Sequence, residues 1–244
     1  MNTYKADLHI HTVLSPCGDL FMSPQNIVIQ AAKKGLDIIG IADHNTTLQA
    51  LLVEEIAEDY GIFVLCGAEV TSKEEVHCLC FLPDVERLNI FQKYLDENLP
   101  DIKNNTDKFG YQVCVDRDEN ITYEEERLLI SAINQTIEQI ENKVHSLNGI
   151  FIPAHINKSN YSIISQLGFV SPDLKIEALE LSKHITKQKF IETNKYLSGY
   201  TFIQSSDAHF VDDIGTVYTN INMQERNFDE IKRALQTGFV DMSS

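Results

Sequence analysis

The chain has 244 residues, 43% of them hydrophobic, and a formal net charge of −16. That suffices for one substantial core, and an α/β barrel of this length can be a single domain; no run approaches the roughly 20 apolar residues of a membrane span. An acidic surface disfavours nucleic acid and anionic membranes as partners, so neither is expected, while a small phosphorylated substrate stays open because bound divalent ions would reverse the local charge.

The N-terminus has no basic region leading into an apolar run, so the cytoplasm is the expected location. Residues 4–10 predict a strand. A polar loop over 15–22 leads to Ser23-Pro24, which opens a helix with Ser as N-cap and Pro at the first helical position. Ile27, Val28, Ala31 and Ala32 form its apolar stripe, and Gly35 ends it. Residues 36–42 are nearly all apolar, as in a strand covered on both faces. A helix is expected over 47–60, a strand over 62–68 ending at Glu69, and another over 77–82.

Residues 84–131 break this rhythm. A solvated helix is expected over 87–104, a short strand over 112–116 and a turn at Asp118-Glu119-Asn120; the segment reads as an insertion or lid. The rhythm resumes with Ile133, Ile137, Ile140, Val144 and Leu147, spaced 4, 3, 4 and 3, a helical stripe that stops at Gly149. Strands follow over 150–154, ending at His155, and over 176–181 and 201–204, the last running into Ser205-Ser206-Asp207. Asn227, with Glu230 three residues on, opens a final helix. Strands alternating with helices favour a parallel sheet or a closed barrel, with functional residues at the C-terminal strand ends.

Those ends carry a recurring chemistry. His9 and His11 sit on one face of their strand, and so do Asp207 and His209. Six of the eight histidines lie at or next to strand ends. Imidazole and carboxylate ligands suit Zn, Mn and Fe. His145 lies inside a helix near its C-terminus, a structural position; His184 follows a strand by a short turn and is placed for substrate contact. The five cysteines form no zinc-type CxxC and no disulfide framework. Four read as small strand hydrophobes, and Cys17 lies in the first loop.

The runs DLHIHT, IADHN, GAEVT, the strand-start His77, IPAHI and SSDAH, in that order, resemble the successive motifs of the PHP (polymerase and histidinol phosphatase) superfamily. The resemblance covers nearly all of the chain except 84–131. It implies an α/β fold, a distorted (β/α)7 barrel spanning 1–244 as one domain with 84–131 inserted. It also implies a centre of up to three divalent ions that hydrolyses phosphate esters. The implied ligands are His9, His11, His44, Glu69 as a bridging carboxylate, His77, His155, Asp207 and His209. The first loop leaves two candidates: Cys17, where some members place His, and Asp19, nearest to the Asp that others use. Lys158, three residues past His155, matches a position often held by Arg or Lys and would bind phosphate or stabilise the leaving oxygen. Asp7 and Asp43 directly precede ligand motifs and could orient metal-bound histidines.

The implied activity is hydrolysis of a small phosphomonoester by hydroxide that clustered metals generate from a bridging water. One alternative is a nuclease or phosphodiesterase acting on DNA ends, against which the net charge weighs. The other is a non-catalytic module stabilised by its metal, against which the near-complete ligand set weighs. Specificity is expected from 84–131 and from the loop over 157–165.

Overall fold

The computed structural model describes residues 1–243. Its strands are β1 (Asn2–Ile10), β2 (Ile38–His44), β3 (Phe63–Thr71), β4 (His77–Phe81), β5 (Val113–Val115), β6 (Ile121–Glu124), β7 (Ile150–Pro153), β8 (Leu179–Leu181), β9 (Phe202–Gln204), β10 (Thr219–Met223) and β11 (Val240–Met242). Its α-helices are α1 (Pro24–Lys34), α2 (Ala50–Glu58), α3 (Val85–Asn98), α4 (Thr106–Phe109), α5 (Ile137–Ser146), α6 (Ile163–Leu167), α7 (Lys187–Thr193) and α8 (Phe228–Thr237).

Seven strands form one curled sheet in the order β11-β10-β1-β2-β3-β4-β7, and β8 pairs with β9 as a separate parallel ladder. Sparse backbone bonds join the two. On one side Ile156 N–H donates to the Glu180 carbonyl and Glu177 N–H to that of Phe151; on the other His11 N–H donates to Ala208 and Ala208 N–H to His9. The first half of β1 pairs with β10, while its end meets the chain beyond β9. The result is the distorted barrel, with β1, β2, β3, β4, β7, β8 and β9 as staves and β10–β11 outside the closure.

The alternating pattern predicts parallel strands, yet β4 runs antiparallel to both β3 and β7. Only residues 72–76 join β3 to β4, too few for a parallel crossover. The reversal places His77, the first residue of β4, on the same rim as the last residues of β2 and β3. Close contact here requires Gly67: a Cβ would lie 2.0 Å from the Cys80 carbonyl oxygen.

Two cores result. Ala6, Leu8, Ile38, Ala42, Leu65, Leu79, Phe81, Ile152 and Ile203 fill the barrel, and α8 closes its base with Phe228, Ile231 and Leu235. Ile10, Ile39, Ile41, Cys66, Cys78, Cys80 and Phe151 face outward to the helices. Inward alternation carries His44, Glu69, His77, Glu180 and Asp207 into the barrel mouth. His9 and His11 break parity with Leu8. The β1–β2 register shifts between Asp7 and Ile10, and such a bulge turns the following side chains to the other face.

Helix α1 has the expected caps: the Ser23 side chain accepts from Asn26 N–H, and Gly35 adopts φ 67°. Helix α2 starts later than expected because Thr47 N–H bonds Gln92 Oε1 (2.6 Å) and the Gln49 amide pairs with the Val115 backbone. Helix α5 begins after a Thr136–Gln139 capping box, so Ile133 packs below it rather than within it. Helices α6 and α7 and strands β10 and β11 are not among the elements expected from the sequence. Residues 84–131 hold α3, α4 and the β5–β6 hairpin, which turns where expected. The segment docks beside the first loop: Val113 and Val115 pack on Val13, and Asn45 Nδ2 donates to the carbonyls of Leu129 and Ser131.

At the closed end His145 bridges Glu141 and Glu177, the latter at 3.1 Å, and Glu177 also accepts from Phe151 N–H and Gln236. Hydrogen bonding to Glu177 raises the His145 pKa above its ordinary 6.5. A raised histidine stabilises fully below the unfolded value and loses that contribution as pH rises through the folded one. Thermal melts should therefore show the stability gap between wild type and His145→Gln at about 2 kcal/mol near pH 6, narrowing as pH rises above 6.5. A gap independent of pH would contradict this.

Candidate metal centre

Glu69 ends inside the barrel mouth, 1% exposed, with imidazoles on every side. Its Oε1 lies 2.9 Å from His77 Nδ1, 3.1 Å from His155 Nε2 and 3.3 Å from His9 Nε2. Its Oε2 lies 3.2 Å from His44 Nδ1 and 3.5 Å from His11 Nε2. Asp207 Oδ1 approaches His9 and His11 from above at 3.5 Å. His209 stacks on His11 with ring centroids 4.4 Å apart.

Further carboxylates and a hydroxyl aim these rings. His9 Nδ1 faces both oxygens of Glu180, at 3.1 and 3.2 Å. Glu180 also accepts from His155 N–H. His11 Nδ1 donates to Ser15 Oγ at 3.0 Å, and Ser15 in turn donates to Asp43 at 2.7 Å. Asp43 therefore reaches His11 through Ser15 and takes Thr12 N–H as well. Asp7 instead holds the backbone of the closing motif, accepting from Ser206 N–H and Gly215 N–H; burial pushes its pKa up to about 6. Glu180 and Ser15 are not among the residues singled out from the sequence. A carboxylate inside the apolar run Ala178-Leu179-Glu180-Leu181 is the signal that could have found Glu180, because a buried charge demands a partner.

Two of the positions that carry site side chains have positive φ: His155 at 30° and Asp207 at 51°. That conformation is disfavoured for residues with a Cβ. At His155 it departs from alternation and turns the ring inward while Ile156 packs outward.

The donor set suits cations. With both Nδ1 atoms engaged, the Nε2 atoms of His9 and His11 face each other at 3.2 Å, beside two carboxylates. His44 Nδ1 and His155 Nδ1 are buried without a hydrogen-bond partner among the described residues. Burial opposes charge on His9, yet Glu180, Glu69 and Asp207 outweigh it and hold its pKa well above 6.5. Burial and the neighbouring His209 lower His11 to about 4. Protons and dications thus compete for the same atoms.

Three groups place their ligand atoms within 4.8 Å of one another: His9, His11 and Glu69; His44, Glu69 and His77; and His11, Cys17, His44 and His209. Cys17 enters the last because the first loop turns tightly at Gly18, where a Cβ would lie 2.4 Å from the Thr12 carbonyl oxygen. Asp19 enters none; its carboxylate accepts from Phe21 N–H, and its own N–H bonds the His209 carbonyl. His155 and Asp207 flank the groups without belonging to one. Lys158 pairs with Asp207 at the rim. A pocket of about 490 Å³ opens above, lined by the loop over 157–161, which carries Lys158, and by Ser182 and His184. No residue of 84–131 lines it; that segment packs beside the first loop instead.

The PHP domain family model matches residues 7–196, and a PHP-associated model matches 198–240. The chain belongs to the PHP domain family. The Bacillus subtilis (strain 168) protein YqxK is 26% identical over 267 residues, covering 97% of this PHP chain and 62% of its own length. The lesion-specific endonuclease PfuEndoQ of Pyrococcus furiosus superposes with a TM-score of 0.73 at 19% identity, covering 99% of this chain and 58% of that one. A structure of Endonuclease Q with a 27-mer duplex substrate, an abasic lesion at its active site, gives 0.70 at 20% identity, covering 97% and 57%. The PHP chain thus spans about three fifths of these relatives.

These neighbours correct the expectation that nucleic acid is an unlikely partner. A protein of this fold takes duplex DNA at its active site. Net charge averages over the whole surface, whereas the field at a site follows its own ions and cations. No helix of the described residues is long and apolar enough to cross a membrane.

Glu180→Ala should weaken divalent-metal affinity by about 10–100-fold in chelator competition. Cys17→Ser should lower the metal content measured by mass spectrometry, and Asp19→Asn should leave it unchanged. Loss of metal in the Asp19 variant with full retention in the Cys17 variant would reverse the assignment of the first-loop ligand.

Proposed function

We propose that this chain is a metal-dependent hydrolase that cleaves phosphodiester bonds in a nucleic-acid strand. The carrying observation is the Glu69-centred histidine cluster at the floor of a pocket whose outer wall is almost uncharged. The ions would be held by the three groups around Glu69 and Cys17, with His155 and Asp207 completing their surroundings. Bound divalent ions supply the positive charge on which phosphate-ester hydrolysis depends and ease the ionisation of water.

The chain's own residues then position and exclude. Lys158 is the one Lys or Arg lining the pocket among the described residues, and it is already paired to Asp207. It would hold a non-bridging phosphoryl oxygen or the leaving oxygen as charge develops there. Asn157 is locked to Ser182 by two hydrogen bonds, 2.8 and 2.9 Å, which fixes the wall that carries Lys158. His184 also lines the pocket, belongs to none of the metal groups, and would give a proton to the leaving oxygen. A wall with so little positive charge suits a monoanionic diester with neutral sugars on either side better than a dianionic monoester. The Endonuclease Q neighbours favour the same substrate class.

The test uses protein reconstituted with Mn, Zn or Fe. Its substrates are labelled single- and double-stranded oligonucleotides, with and without an abasic site, alongside bis-p-nitrophenyl phosphate and p-nitrophenyl phosphate. Cleavage of oligonucleotides and of the diester over the monoester is expected. Lys158→Ala should lower kcat by about 100-fold, and His9→Ala should abolish turnover. Hydrolysis of monoesters alone would sink the reading.

A further inference from the structure

The outer half of the pocket contains one feature that the metal centre does not require. Tyr161 lies between Lys158 and α6, and its backbone sits at φ 57°. That left-handed conformation is disfavoured for a bulky aromatic residue, and strain of this kind marks positions where the surroundings impose a geometry. Bonds on both sides hold it. The Tyr161 carbonyl accepts from His77 N–H at 2.9 Å, tying the loop to β4. The next residue, buried Ser162, donates to the Lys158 carbonyl at 2.7 Å and caps α6 through Ser165 N–H.

The consequence is a fixed ring. Tyr161 stacks on the His77 imidazole, centroids 4.7 Å apart and planes 19° from parallel. Its side chain still lines the pocket, and the residue remains 46% exposed. Its hydroxyl makes no hydrogen bond among the described residues, so the hydroxyl does not explain the placement. One face covers a histidine bonded to Glu69, and the exposed remainder of the ring shares the pocket with Lys158, the group suited to a phosphate. Apart from Lys158, which is paired to Asp207, this wall offers Asn157, Ser159, Asn160, Ser182 and His184, hydrogen-bonding groups without formal charge when His is neutral. An aromatic face with neutral polar groups around it suits a planar base and its sugar.

We propose that the open face of Tyr161 is a stacking platform for the nucleobase next to the scissile phosphate; this rests on the phosphodiesterase reading above. Such a platform tolerates any base, because every base has a π-face. It makes Tyr161 a positioning residue, with selectivity for the strand over small esters as its effect.

The experiment uses the metal-loaded full chain and an oligonucleotide with 2-aminopurine beside the mapped cleavage position. Stopped-flow fluorescence, KM and kcat, and metal content are measured for wild type, Tyr161→Ala, Tyr161→Leu and Tyr161→Phe. Wild type should quench the reporter on binding. The Ala and Leu variants should lose the quench and raise KM by about tenfold or more, with kcat changed less; Phe should restore both. Leu keeps His77 covered without an aromatic face, so recovery by Leu overturns the proposal in favour of simple shielding. Metal loss in the Ala variant that accounts for its defect overturns it too, as does failure of Phe to rescue. If wild type neither binds nor cuts any oligonucleotide while hydrolysing small esters, the function reading fails, and the platform with it. If wild type binds and all variants quench alike, the platform alone fails.

Discussion

The molecule is organised around one buried carboxylate. Glu69 sits near the middle of the sheet, almost without solvent, within 3.5 Å of five imidazoles. A lone carboxylate there would be costly to ionise, and only opposite charge makes the burial tenable. Burial does act to raise its pKa, but His77 and His9 reverse the shift and hold it well below the ordinary 4.5. Protons on histidines and divalent ions can each supply that charge, so stability and chemistry at this end of the barrel share one electrostatic source.

The scaffold concentrates its irregularity around that group. The barrel closes through few backbone bonds where β7 meets β8 and where the chain after β9 meets β1. Those seams carry His155, Glu180, Asp207 and His9. A regular ladder would force strict alternation, and alternation would turn His9 and His155 outward. The bulge in β1 and the positive φ of His155 release them. Asp7, Asp43 and Glu180 then accept the backbone N–H groups that the irregular turns would otherwise leave unpaired. Sites with exact demands on direction are where strained backbone is retained.

Charge operates on two scales in this protein. The net −16 describes a surface far from any single phosphate. At the mouth, the carboxylates are engaged with imidazoles and with Lys158, and the pocket wall beyond them is close to neutral. The global figure therefore bears on solubility and long-range approach, and the local one on what the pocket accepts.

The residues alone determine much. Ser23-Pro24 and Gly35 bound α1 because caps are local chemistry, and the strand-end motifs mark His44, Glu69, His77 and Asp207 because alternation is local too. The order of those motifs is sufficient to show family resemblance. Four matters waited for the tertiary structure. The antiparallel course of β4, the approach of Cys17 rather than Asp19 to His11, His44 and His209, the support of His9 by Glu180, and the placing of Tyr161 over His77 all join segments far apart in the chain or turn on backbone twists of a few residues. Periodicity reports which face a side chain takes on a regular strand. It carries no information about a bulge, a left-handed residue or a partner on another stave, and the geometry of this site is built from those three.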